Sequence, residues 1–305
     1  MPKLKKRALL LLAALAMLAV SLYGCSTGDT QPTPPAGVSD SGSEASAAQS
    51  GELPKGNSVT VGIAQDLSNL DPQLAATAGV REVLFNIFEG LVKASPDGSL
   101  TGAVASDYEI SKDGTTYTFT LREGVTFHNG EAVTVEDVVY SLERCAGSEN
   151  DGTPLVSAFS NVSRIEAVDG GHVVITLAEP STEFINALTS PVIPKDSGPT
   201  ITQTMVGTGP FRFVSYTPQD SLVMERYDGY WNREKAAKLD QVTFKIIPDV
   251  NSLVIGLKGG TLDMVVHLPN TLLREVEDGF TVHQNTMNLV QALYLNNAVE
   301  PFDDP

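Results

Sequence analysis

The stretch Ala105–Arg144, ASDYEISKDGTTYTFTLREGVTFHNGEAVTVEDVVYSLER, decides how this 305-residue chain is read. Tyr117, Phe119 and Leu121 alternate with Thr116, Thr118 and Thr120, so one face of an extended segment is apolar and the other bears hydroxyls. That period of two is the mark of a half-buried strand. Lys112-Asp113-Gly114 and His128-Asn129-Gly130 supply its turns, since Asn, Asp and Gly tolerate the backbone angles of a tight reversal. Thr134 stands three residues before Asp137, the spacing of a capping box with Asp in place of Glu. Val138, Leu142 and Cys145 follow at i, i+4 and i+7. The spacing predicts a hairpin and then a helix that starts at Thr134 with its apolar side inward.

Working outward, Val59–Ala64 reads as a strand and Val80–Phe88 as a helix with Val83, Leu84, Ile87 and Phe88 on one side. Val173, Ile175 and Leu177 alternate as a strand, and Ser181-Thr182-Glu183 opens a helix. Phe211–Tyr216 and Leu222–Arg226 read as paired strands, Val242–Ile247 as a third, followed by a helix capped by Asp249 and closed at Gly259-Gly260. Strands interleaved with helices predict a mixed α/β protein. Near the C-terminus, Leu289–Leu295 reads as a strand. Asp303-Asp304-Pro305 then reads as an N-cap with proline at the first helical position, the start of a helix that the chain does not contain.

The N-terminus carries an address. Lys3, Lys5, Lys6 and Arg7 precede the apolar run Ala8–Val20, whose thirteen residues are too few to span a bilayer. This is the pattern of an export signal. Leu22-Tyr23-Gly24-Cys25 resembles a bacterial lipobox, which makes Cys25 the expected lipidated first residue and 1–24 the signal. Ordinary secretory cleavage with an incidental Cys25 is the alternative. Several acyl chains on one residue hold a protein at a membrane where one chain does not. From Ser26 to Asn57 the composition turns to Ser, Thr, Gly, Pro, Ala and Gln, with too little apolar surface to offset the entropy of folding. The expectation is a flexible tether over 25–57 with a span of about 30 Å.

The formal charge of −17 becomes −21 once the four basic residues of the signal are removed. That excess of negative charge argues against nucleic acid or anionic lipid as a binding partner. With Cys25 spent on lipid, Cys145 has no partner for a disulfide and, lying on the apolar side of its helix, reads as a buried structural thiol. His128, His172, His267 and His283 lack the spacing of a metal site, and His128 reads as a turn residue. There is no Gly-x-Ser-x-Gly elbow, Walker-type loop or Rossmann fingerprint, so neither an enzyme nor a cofactor is expected.

A set of short motifs falls in a specific order. It comprises Asn69-Leu70-Asp71-Pro72, Ile87-Phe88-Glu89-Gly90-Leu91, the 105–144 stretch, Gly207-Thr208-Gly209-Pro210-Phe211, Tyr230-Trp231, Leu239–Phe244, Leu295-Asn296-Asn297 and Pro301–Asp304. Together they resemble the family 5 extracellular solute-binding proteins of ABC importers, which take oligopeptides, dipeptides or nickel. The resemblance implies a periplasmic-binding-protein-like fold of two lobes. It places lobe one at 58–75 and 185–284, an inserted subdomain at 76–184, and the start of a truncated second lobe at 285–305. It implies a lipid-anchored, extracytoplasmic, monomeric protein that captures a peptide or other small ligand and passes it to the permease subunits. The lobe-one wall of the cleft carries over to Ala64–Asn69. There Asp66 supplies an acceptor, Leu67 an apolar contact and Ser68 a hydroxyl, with Asn69 beside them; plain turn chemistry over Asp66–Pro72 is the alternative. Gly207–Pro210 is expected to constrain the backbone near the cleft. Two other roles stay open: a ligand sensor for a membrane histidine kinase, and a non-functional remnant.

Overall fold

A computed structural model describes residues 57–75, 77–168 and 170–284, together with Glu300. The first strand, β1 (Ser58–Ile63), is followed by a loop and by α1 (Ala78–Leu84). Short strands β2 (Val92–Ala94) and β3 (Leu100–Gly102) pair as a small ribbon. Then come β4 (Ala105–Ile110), β5 (Thr116–Leu121) and α2 (Val135–Cys145). Strands β6 (Val162–Val168) and β7 (His172–Leu177) precede two single-turn helices, α3 (Phe184–Ala187) and α4 (Ile201–Thr204). The chain continues through β8 (Phe211–Thr217), β9 (Ser221–Arg226), β10 (Gln241–Ile246), α5 (Val250–Lys258), β11 (Met264–Val265) and α6 (Asn270–Leu273).

Two sheets organise these elements. In the first, β11, β1, β10, β9 and β8 lie in that order, with β1 parallel to both β10 and β11 and the rest antiparallel. In the second, the order is β4, β5, β7, β6, all antiparallel. The hairpin read at 105–121 is present, with its turn at Lys112–Gly114, but β5 finds its other neighbour in β7. The His128–Gly130 turn instead closes a small loop through a bridge between Thr126 and Ala132. Strands β4, β6 and β8, at the margins of the two sheets, each carry a register shift, which kinks an otherwise open edge.

The sequence period is honoured where it was strongest. Tyr117 and Phe119 are fully buried, and with Val173, Ile175 and Leu177 they form the face that Val138, Leu142 and Cys145 of α2 cover. Phe184 stands edge-on to Tyr117 and to Phe159 at 5.4 and 5.3 Å between ring centres, completing this core. Both halves of the capping box form: Thr134 Oγ1 accepts the Asp137 N–H at 3.2 Å, and Asp137 Oδ2 accepts the Thr134 N–H at 2.8 Å. The other Asp137 oxygen accepts the Lys195 N–H at 2.8 Å, tying the helix start to the returning chain. Asp249 caps α5 as expected.

A separate core joins β1, α1, β9 and β10 through residues such as Val61, Val83, Leu222 and Phe244. Residues 80–88, assigned by sequence to the insertion, contribute Val80, Val83, Leu84, Ile87 and Phe88 to this core, whereas Phe184, Leu188 and Val192 belong to the other. The two cores therefore meet near Gly90 and Val192. Helix α1 also ends at Leu84, short of the Phe88 expected from its apolar period. Asn86 and Ile87 donate to carbonyls only three residues back. Their own carbonyls are taken by Phe211 and Gly209, so tertiary bonds replace the next turn. The tether, Cys25, Leu289–Leu295 and Asp303–Pro305 lie outside the described residues.

Candidate functional site

The carboxyl end of a parallel strand in an α/β sheet is where the chain turns away and leaves a crevice for ligands. Here β1 ends at Ile63 beside the end of β10 at Ile246, and the turn between β8 and β9 reaches the same edge. The loop 66–70 with Thr202, Tyr216, Pro218 and Gln219 lines an open pocket of about 580 Å³ at that edge. Asp66 is half-buried and its Oδ1 accepts the Leu67 N–H at 2.8 Å; no other bond to this carboxylate occurs among the described residues. Ser68 and Asn69 are exposed, but the Asn69 side-chain Oδ1 accepts the Asp71 N–H at 2.9 Å, a turn of the Asx kind. The Tyr216 hydroxyl donates to the Leu67 carbonyl at 3.0 Å and so fastens the loop to β8. Burial, and then the charge of Asp66, holds that phenol above its ordinary range.

The Leu67 side chain is 2 % exposed and belongs to the core that includes Val61 and Ile63, while the residue also borders the pocket. Asp66, Ser68 and Asn69 do lie together on the lining. Thr202, Tyr216, Pro218 and Gln219 were missed, because only the fold brings them to the loop. The one local signal was the turn at Pro218-Gln219-Asp220, where Gln219 takes φ +60°.

Among the described residues, several of the remaining motifs are bound into framework. Asp71, two residues beyond Asn69, is buried and meets Arg144 of α2 at 2.6 Å through Oδ2 and 3.3 Å through Oδ1. Arg144 also donates to Gln73 Oε1 at 2.6 Å and to Glu149 at 2.9 Å, and the Gln73 amide donates to the Ser141 and Pro191 carbonyls. This network crosses the seam between the two cores. Glu89, also buried, accepts from Lys93 Nζ at 2.7 Å, the Tyr230 hydroxyl at 2.8 Å and Trp231 Nε1 at 2.7 Å. Arg122 stacks over the Trp231 ring at 4.2 Å.

Gly207 and Gly209 lie against the backbone of Asn86–Phe88. A Cβ on Gly209 would stand 2.5 Å from the Asn86 oxygen and 2.7 Å from the Ile87 carbonyl carbon. The requirement is close approach, not positive φ. His128 is more than a turn residue: its Nδ1 accepts the Gly207 N–H at 3.2 Å, so Nε2 carries the proton donated to the Gly209 carbonyl at 3.0 Å. Burial pushes the imidazole down to about 4. The other histidines sit apart. His267, at φ +57° after β11, pairs with Glu82 of α1 at 2.6 Å. Among the described residues no group of three or more His, Cys, Asp or Glu is placed to hold a metal ion, and no helix is long and apolar enough to cross a membrane.

This α/β body has an open pocket at its parallel strand ends, and several of its buried titratable groups are bound into framework. The family described as bacterial extracellular solute-binding proteins, family 5 Middle, matches residues 99–305, and the chain belongs to it. A glutathione-binding protein GsiB from Pectobacterium atrosepticum is 30% identical over 254 residues, covering 80% of this chain and 49% of that protein. The chain thus spans about half the length of the curated relatives it matches. Among solved structures, the binding protein AgaA in complex with agropinic acid aligns with a TM-score of 0.65 and 29% identity, over 73% of this chain and 46% of its own. NikZ from Campylobacter jejuni, bound to Ni(L-His), aligns at 0.67 and 23% identity over 74% and 46%, a likeness of fold.

Proposed function

We propose that this chain forms one wall of the ligand cleft of an extracytoplasmic solute-binding lipoprotein, which captures a peptide or similar small solute and delivers it to an ABC permease. The family is described by solute binding. The observation that carries the reading is the open pocket at the carboxyl end of β1, where backbone, hydroxyl and carboxylate groups converge beside Tyr216. Relatives whose names specify glutathione, and a structural neighbour in complex with the peptide STSA, support a small peptide as the solute. Lipid on Cys25 tethers the body through 25–57, and the protein acts as a monomer.

Amide shift mapping of the isotope-labelled chain with a mixture of short peptides tests the pocket. Saturable shifts at Ser68, Asn69 and Tyr216 are expected, and shifts confined to other surfaces overturn the reading. Fractionation of cells producing the chain or its Cys25→Ser variant tests the anchor: the parent is expected with the membrane and the variant in the soluble fraction. Equal partitioning removes the lipid from the account.

A further inference from the structure

Two carboxylates lie on the same loop, five residues apart, and the fold treats them oppositely. Asp71 is neutralised internally by the Arg144 guanidinium and sealed from water. Asp66 is left part-exposed on the pocket wall, without an ion pair among the described residues. Among the described residues that line the pocket there is no lysine, arginine or histidine, and Asp66 is the only carboxylate. The Leu67 N–H holds one of its oxygens at 2.8 Å and orients the carboxylate, leaving acceptor capacity on the other. Tyr216, fastened by its own hydroxyl to the Leu67 carbonyl, presents an aromatic ring to the same space. A carboxylate next to an aromatic ring suits an ammonium or guanidinium group, which gains from the charge and from the ring face together. The chain's formal charge of −17 reinforces the sign by attracting cations and repelling anions at long range.

We infer that this wall of the cleft selects by charge: the ligand it takes presents a cationic group to Asp66, and ligands with an anionic group at that position are rejected. The inference rests on the pocket being the ligand wall, as proposed above. It makes Asp66 a specificity-determining residue and Tyr216 its aromatic neighbour. Ser68 and Asn69 then supply neutral polar contacts that read the ligand without regard to charge.

The test uses the isotope-labelled chain and three tripeptides that differ only in a central lysine, glutamine or glutamate, titrated at low salt while the amides of 67–69 are followed. The lysine peptide is expected to bind about fivefold more tightly than the glutamine peptide, the effect of one opposite charge at contact in an open, watery site, and the glutamate peptide correspondingly more weakly. Asp66→Asn keeps an oxygen to accept the Leu67 N–H and is expected to bring the three affinities together. Ser68→Lys places a cation beside Asp66 at an exposed position and is expected to do the same, so the result does not hang on one variant. Equal affinities of the three peptides at these amides overturn charge selection while leaving the pocket as the ligand wall. Absence of any shift at 67–69 with all three peptides overturns both.

Discussion

Replacing Arg144 by methionine removes the cation from the seam between the two cores while keeping much of the side chain's volume. Asp71, whose side chain is 7% exposed, is left as a buried charge without a counter-ion, and Gln73 Oε1 loses its 2.6 Å donor. Glu149 loses a partner as well, but at 35% exposure water can take its place. Removing one member of a buried ion pair costs about 3–5 kcal/mol, because the remaining charge cannot recover its hydration. For a body of this size each kcal/mol lowers the melting temperature by about 2–4 °C, so Arg144→Met is expected to melt about 10 °C lower. Adding Asp71→Asn removes the stranded charge and is expected to restore about half of the loss. Thermal and urea unfolding of parent, single and double variants, followed by far-UV dichroism and by Trp231, the chain's only tryptophan, measures each step. A loss below about 1 kcal/mol in Arg144→Met, or a double variant no more stable than the single one, refutes the argument that an unpaired buried charge governs this seam.

The His128 clamp sets an acid limit. Its imidazole titrates at about 4 when folded against an ordinary 6.5, so the unfolded chain takes the proton first. Stability is complete above pH 6.5 and declines as pH falls toward 4, by roughly 3 kcal/mol over the window. In His128→Gln, melts across that range are expected to lose this slope; an unchanged slope assigns it elsewhere. Gly209→Ala drives a Cβ onto the backbone of Asn86 and Ile87 and is expected to cost about 3 kcal/mol in urea unfolding, against a few tenths if the loop simply shifts. The Cys145 thiol, pushed up to about 12 by burial, is expected to resist a disulfide reagent in the native Cys25→Ser chain and to react once urea unfolds it. Stoichiometric labelling of the native protein contradicts that account.

What the sequence made legible was local. The Thr–aromatic alternation at 116–121 and the Thr134–Asp137 cap each express a period or a spacing within one element, and the neighbouring chain suffices to form them. Half of the candidate pocket was legible for the same reason, as a loop after a strand. The other half was not, since Tyr216 reaches Leu67 across 149 positions and no local pattern encodes that distance. The same holds for Arg144 with Asp71, and for Glu89 with Tyr230 and Trp231. Each of these residues has an ordinary neighbourhood in sequence, and its partner is defined only once two elements have packed. The burial of Leu67 was not legible, because an apolar residue in a loop can face a ligand or a core and the sequence does not tell inside from outside there. His128 in its His-Asn-Gly turn was read from that turn alone, while its ring answers to Gly207 and Gly209.

The order of the first sheet bears on how a growing chain acquires this shape. β1 is made first, yet its neighbours are β10 and β11, which close the described body. The buried residues of the other core, by contrast, all fall in the continuous stretch 91–192. Long loops close slowly and local contacts form fast. A chain emerging from its N-terminus therefore has the residues of that later core in hand early, while β1 has no parallel partner until β10 follows.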